Sequence, residues 1–275
     1  MLERTIAFPP SALLPAWDEA AALPERSWLV PDSMDAAGKQ LTINVHSWLV
    51  KTARHVVLVD TGIGNGKTRA SSLFNDLDKP YLARLAEAGA TPDTVTHVLM
   101  THIHTDHVGW NTIWVDGQWR PTFPNARYIF PRAGHDYFDE PAGRARGNYD
   151  MYADSVLPVI VAGQADMVAD GGGEVLDGFV YHPTPGHSID HMSIAFRQDG
   201  EEALFAGDVM HHPIQVHRPD WSSVFCADTA RADLSRRWAL DHASDRNVLY
   251  LSSHFAGTSA GRVTRDGAGF CWEFA

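Results

Sequence analysis

Cysteine is nearly missing from this 275-residue chain, with Cys226 and Cys271 the only two. They have neither the spacing of a thiolate metal site nor the number for a disulfide framework, which points to the reducing cytoplasm. Long apolar runs are lacking as well. No stretch approaches the roughly 18–20 apolar residues of a membrane span. Residues 1–10 lack the apolar run and small-residue cleavage site expected of a secretory leader. Basic residues are outnumbered, 22 Lys and Arg against 34 Asp and Glu, for a formal net charge of -12. That deficit argues against a nucleic-acid surface, which needs clustered cations facing phosphate. No internal repeat, low-complexity tract or linker divides the chain. What is present suits a soluble globular protein: 44% hydrophobic and 20% charged residues, enough for a large core. Histidine is the residue in excess, with 15 copies.

Residues 1–40 are interrupted by Pro9, Pro10, Pro15, Pro24 and Pro31. They read as an arm belonging to the same unit as the body at 41–275. The arm is expected either to pack on a neighbouring surface or on the second subunit of a homodimer, or to form an irregular N-terminal cover. Strand patterns follow at 41–50, 55–60, 96–100, 126–130, 179–182, 192–197, 203–206, 248–252 and 270–274. Helical spacing predicts helices at 80–88 and 232–243 and a mainly helical stretch over 132–168. Asp116 with Gly117, and Asp199 with Gly200, read as hairpin turns. Hairpins mixed with strand–helix alternation predict mixed sheets covered by helices, the α+β class.

The sharpest local signal is Thr101-His102-Ile103-His104-Thr105-Asp106-His107, directly after the buried run Val98-Leu99-Met100. Residues i and i+2 of an extended chain share a face, so His102 and His104 can converge on one ion. Asp106 and His107 come next, where the chain is expected to enter a helix, within reach of a second ion. Chance would produce this pattern in roughly 0.004 of chains of this composition. Imidazole and carboxylate donors without thiolate suit Zn²⁺, and also Mn, Co or Fe. This is a metal site.

Four other apolar runs end in a donor: at Asp60, at His187 in Thr-Pro-Gly-His, at Asp208 in Ala-Gly-Asp, and at His254 in Ser-Ser-His. Taken in this order with the histidine motif, they resemble the five-part signature of the metallo-β-lactamase superfamily over about 41–254. The resemblance implies an αββα sandwich of two mixed sheets flanked by helices. It implies that His102, His104 and His187 hold one ion, that Asp106, His107 and His254 hold a second, and that Asp208 bridges both. Asp60 would orient a ligand histidine from behind. Two ions about 3.5–4 Å apart lower the pKa of a shared water and polarise a substrate oxygen, with Asp106 guiding the proton.

Departures from the superfamily's branches narrow the reading. β-Lactamases generally lack the aspartate present here as Asp208. Glyoxalase II thioesterases and mononuclear iron sulfur dioxygenases usually show Gly-Gly where this chain has Gly109-Trp110. The chain is more similar to the branch holding the N-acyl homoserine lactone lactonases and methyl parathion hydrolase; within it, Asp106-His107-Val108-Gly109, the run from Thr122 to Ala126 and the long helical insert between His107 and His187 resemble methyl parathion hydrolase and its relatives more than the compact lactonases. The resemblance implies a dinuclear hydrolase of small, fairly apolar esters, lactones first and phosphotriesters also, with a small-molecule substrate and no nucleic-acid or membrane partner. Lactonases often place a tyrosine shortly after the bridging aspartate; here His211 or His212 takes that role, or the metals act alone. Trp110, three residues past His107, is expected to wall the metal cleft, and Trp221 and His212 to touch substrate.

Overall fold

The protein is described by a computed structural model covering residues 1–145 and 148–275. It comprises two compact units, Met1–Arg4 with Val45–Asp170 and Thr5–Asn44 with Gly171–Ala275. In chain order the first elements are β1 (Leu2–Phe8), α1 (Pro10–Leu13), α2 (Glu19–Ala22), α3 (Arg26–Leu29) and β2 (Leu41–His46), with β1 pairing β2. The expected arm at 1–40 therefore carries regular structure.

The first unit continues with β3 (Trp48–Lys51), β4 (Val56–Val59), α4 (Tyr81–Glu87), β5 (His97–Leu99), β6 (Thr112–Val115), β7 (Gln118–Pro121) and β8 (Arg127–Pro131). After these come α5 (Arg132–Asp139), α6 (Pro141–Arg144), α7 (Tyr149–Ser155), α8 (Leu157–Val161) and β9 (Ala165–Val168). Its sheet runs β3-β4-β5-β8-β9, antiparallel only at β3–β4. Continuous apolar sequences such as Val56-Val57-Leu58-Val59 are what a parallel strand covered on both faces requires. The carboxyl ends of β4 and β5 deliver Asp60 and the stretch from Thr101 to His107, where open parallel sheets present functional groups. The β6–β7 hairpin turns at Asp116 and Gly117, φ 51° and 79°, as the sequence predicts. The stretch 132–168 is not one helical block. Pro141 and Pro158 start new helices, and Gly163 at φ 72° ends α8 so that β9 can join the sheet.

The second unit holds β10 (Gly173–Leu176), β11 (Phe179–Pro183), β12 (Met192–Gln198), β13 (Glu201–Gly207), α9 (Ile214–His217), α10 (Thr229–Arg246), β14 (Leu249–Ser252), β15 (Ala260–Asp266) and β16 (Gly269–Phe274). Its seven strands lie in sequence order, antiparallel except for β13–β14, which α10 connects. The Asp228 side chain caps the first turn of α10 through the Arg231 N–H, and Asn247 in the left-handed region closes the other end. Ala232, Ala239, Leu240 and Ala243 form its buried face. β11, β13 and β14 each lead into a predicted ligand, His187, Asp208 and His254 in turn. Mixed sheets with helices agree with the α+β reading. Among the described residues no helix is long and apolar enough to cross a membrane.

Candidate metal centre

In the first unit, Asp60 organises the histidine motif from behind. Its Oδ1 accepts the Thr101 N–H at 2.8 Å, and its Oδ2 accepts the Thr101 hydroxyl at 2.8 Å. The same Oδ2 lies 2.9 Å from His107 Nδ1, which makes that nitrogen the protonated one. Because the Thr101 hydroxyl proton goes to Asp60, its oxygen is left to accept from His102 Nδ1 at 3.0 Å. One buried carboxylate thereby sets the tautomers of two imidazoles, leaving the Nε2 lone pairs of His102 and His107 as donors to a cation. The rings of His102 and His107 lie 4.1 Å apart, and those of His102 and His104 4.5 Å. Asp106 and His104 are half-buried while His102 and His107 are buried. The expected helix at 106–107 is absent. The chain turns there, with the His107 and Val108 N–H groups on the His104 carbonyl, and then forms a short 3₁₀ turn over Gly109–Asn111.

In the second unit, three imidazoles surround one oxygen of Asp208. Its Oδ2 is 3.0 Å from His254 Nε2, 3.2 Å from His187 Nε2 and 3.4 Å from His211 Nε2. All four side chains are at most 3% exposed. His254 donates its Nδ1 proton to the Asn44 carbonyl at 2.7 Å, so in a neutral ring Nε2 would aim its lone pair at the carboxylate. Those two acceptors, 3.0 Å apart, would then oppose one another, and a divalent cation between the rings and the carboxylate would satisfy both. The donor set fits a metal. Donor atoms of His187, Asp208 and His211 lie within 4.8 Å of one another, a group able to hold an ion. The Asp208 N–H is pinned by His191 Nε2 at 2.8 Å, and His191 Nδ1 bonds the Thr184 carbonyl at 3.0 Å. Gly186 sits at φ 134°, and a Cβ there would lie 2.1 Å from the Ala232 nitrogen of α10. Only glycine lets the His187 loop pass beneath that helix.

A profile of the metallo-beta-lactamase superfamily matches residues 42–254. The chain belongs to this superfamily. N-acyl homoserine lactonase AiiA of Bacillus thuringiensis subsp. kurstaki is 27% identical over 169 residues, 57% of this chain. N-acyl homoserine lactonase AiiB of Agrobacterium fabrum is 27% identical over 106 residues, 34% of this chain. The chain spans about 60% of the length of AiiA and 37% of AiiB. Among solved structures, the hydrolase AbOPH aligns with TM-score 0.82 at 21% identity, over 100% of this chain and 92% of that one. The dizinc quorum-quenching lactonase AidC aligns with TM-score 0.80 at 19% identity, over the same shares. These likenesses establish the fold.

Against this superfamily framework, three expected substrate contacts move into the core. Trp110 is 5% exposed; its indole N–H donates to Glu3 Oε1 at 2.7 Å, and the ring stacks on Tyr81 at 4.8 Å. The 3₁₀ turn explains it: the N–H groups of Gly109 and Trp110 bind the Gly62 and Thr61 carbonyls, which rotates the indole inward. Trp221 is buried against Trp17, with its carbonyl accepting from Gln215 Nε2 at 2.7 Å. His212 is wholly buried and hydrogen-bonded to the Ser33 carbonyl at 2.8 Å; burial pulls its pKa down to about 4. His211 and His212 are thereby distinguished, since only His211 lies against Asp208. Their backbone N–H groups share Gln215 Oε1, which shapes the loop after Asp208. The apolar surface beside this group belongs instead to Phe225, 41% exposed, with its ring 5.5 Å from that of His211. Thr101, His191, Gln215 and Phe225 carry no motif that would single them out in sequence.

Proposed function

We propose that the chain is a metal-dependent hydrolase of small, fairly apolar esters, with acyl homoserine lactones as lead substrates and phosphotriesters as further ones. His102, His104 and His187 are assigned to one divalent ion, Asp106, His107 and His254 to a second, and Asp208 to both. Zinc suits these donors best, with Mn, Co and Fe the alternatives. The observation that carries the reading is the convergence of three buried imidazoles on one carboxylate oxygen, with the Nε2 atoms of His254, His187 and His211 at 3.0, 3.2 and 3.4 Å from Asp208 Oδ2. The lactonase relatives support the choice of substrate.

When bound, the metals supply Lewis-acid polarisation of an ester carbonyl and an acidified water. The residues do the rest. Asp60 keeps the proton of His107 on Nδ1 directly and that of His102 through Thr101. Asn44 does the same for His254. Asp106, half-buried, is assigned to hold the proton taken from water. His211, next to Asp208 and beside the exposed Phe225 ring, is assigned to donate toward the leaving oxygen. A panel of lactones, aryl esters, phosphotriesters and β-lactams, run with metal analysis, tests the proposal. Near two equivalents of metal with lactone turnover supports it. One equivalent of iron with oxygen consumption replaces it with sulfur dioxygenase chemistry.

The two histidines after Asp208 are expected to separate cleanly. His211→Ala should lower kcat for lactones by about 10²-fold with a smaller change in KM, as loss of a transition-state contact does. His212→Ala should instead leave kcat near normal and lower the melting temperature, because it removes a buried bond to Ser33. Equal mild effects on kcat from both variants would return His211 to a structural role.

Phe225 inherits the specificity role that Trp110 cannot fill. Phe225→Ala is expected to cut kcat/KM for long-chain lactones or aryl esters about tenfold, in line with removing an aromatic wall worth about 1–3 kcal/mol. Short polar esters should barely respond. An equal loss for both kinds of substrate would show that Phe225 packs rather than selects.

A further inference from the structure

Within the first unit, the glycine-rich loop Thr61-Gly62-Ile63-Gly64-Asn65-Gly66 runs on directly from Asp60. Turns of this kind present successive backbone N–H groups to an anion. Here the anion is one of the chain's own side chains. Glu3, on β1, is 4% exposed and lays its carboxylate on the loop. Its Oε2 accepts the Ile63 N–H at 2.6 Å. Its Oε1 accepts the Gly64 N–H at 3.2 Å and the Trp110 indole N–H at 2.7 Å. Both oxygens are therefore met by donors, which a carboxylate needs once it leaves water.

The loop held in this way is bonded to the segment that carries His107. The Thr61 N–H donates to the His107 carbonyl at 2.5 Å. The Gly109 and Trp110 N–H groups donate in return, to the Gly62 carbonyl at 2.7 Å and the Thr61 carbonyl at 2.9 Å. Glu3 grips both sides of this exchange: the loop at Ile63 and Gly64, and the turn after His107 at Trp110. The fit is close. A Cβ on Gly62 would lie 2.1 Å from Glu3 Oε2, and one on Gly109 would lie 1.8 Å from the Ile63 carbonyl oxygen. His107 Nδ1 is also bonded to Asp60, the residue that opens the loop. The imidazole is thus tied to the loop twice, through its backbone carbonyl and through its ring.

We propose that Glu3 is a positioning residue of the metal centre, its carboxylate clamping the loop at 61–64 to the turn at 107–110 and so setting where the His107 imidazole points. The proposal rests on the dinuclear reading, in which His107 is a ligand, and adds to it a residue that stands in no ligand motif. Glu3 acts through the backbone, as a partner behind the ligand rather than a ligand itself.

Glu3→Gln is the informative variant. It keeps the shape, but its NH₂ would meet an N–H donor whichever oxygen it replaced. Imidazole resonances are followed by heteronuclear NMR in the full chain, with and without zinc, and zinc affinity by competition with a chelator. The His107 ring signals are expected to shift, those of His135 on α5 to stay in place, and zinc to bind about tenfold more weakly. Glu3→Asp keeps the charge with a shorter reach, and serves if the first variant misfolds. It should move the same signals less and weaken zinc several-fold. Unmoved His107 signals with unchanged zinc affinity in a folded variant would overturn the proposal. So would equal shifts at His107 and His135 with a lowered melting temperature, because that pattern marks general support of the fold. The His107 signals are read without zinc as well. A chain that binds fewer than two ions would sink the dinuclear reading, while a His107 response would leave the Glu3 assignment standing.

Discussion

Replacing Asp208 with alanine is expected to lower lactone hydrolysis by about 10³-fold or more and to drop the metal content below two equivalents. The side chain is buried, and one of its oxygens faces three imidazole nitrogens at 3.0–3.4 Å. Removing it deletes the anionic charge that makes a cation favourable among those rings, and the donor assigned to both ions. Asparagine should fail almost as badly, since it keeps the shape and one oxygen but not the charge. Atomic absorption on the purified variants, beside turnover measured with added zinc, checks both halves. Full occupancy with near-normal turnover in Asp208→Ala would remove the dinuclear assignment.

The second large effect is expected at Asp60, which is assigned no contact with an ion. Its two oxygens accept three hydrogen bonds, from the Thr101 N–H, the Thr101 hydroxyl and His107 Nδ1. Asp60→Asn is the informative change, because asparagine also tolerates the left-handed backbone at φ 55°. Its NH₂ would face a donor wherever it pointed. One consequence is a free choice of tautomer for His107, and through Thr101 for His102. Metal affinity, read by competition with a chelator, is expected to fall roughly 10–100-fold, with activity dropping in step. Excess metal should restore part of the rate to Asp60→Asn and little to Asp208→Ala. Unchanged affinity in Asp60→Asn would mean that the hydrogen-bond relay does not govern the ligands.

Much of the candidate site is legible in sequence because its donors end apolar strands. Val57-Leu58-Val59 before Asp60 and Val98-Leu99-Met100 before Thr101 declare both the strand and the point at which a polar group leaves it. Thr101 and His191 are not legible in that way. Each acquires its role from a partner distant in the chain, Asp60 for Thr101 and the Asp208 backbone for His191, and nothing local marks the pairing. Trp110 misleads for a geometric reason. The i,i+3 argument assumes an α-helix after His107, whereas the backbone bonds to Thr61 and Gly62 impose a 3₁₀ turn that points the indole the other way. The stretch 132–168 misleads through its apolar content: β9 is short and sits beyond a left-handed glycine that periodicity does not register. Phe225 lies in an irregular loop, where neither helical nor strand spacing says which face a ring takes.

The contact between Gly186 and α10 gives that helix a second task. An 18-residue helix is a rod of about 27 Å, and this one rests its first turn on the backbone that carries His187. With no side chain between them, there is no compressible layer to absorb a tilt. Any substitution that rocks the rod, even at the exposed Leu234, is transmitted to the turn holding the His187 imidazole. Surface engineering of α10 for solubility or immobilisation therefore acts on a lever whose short end lies under His187, and attachment points near Arg246 would load it least.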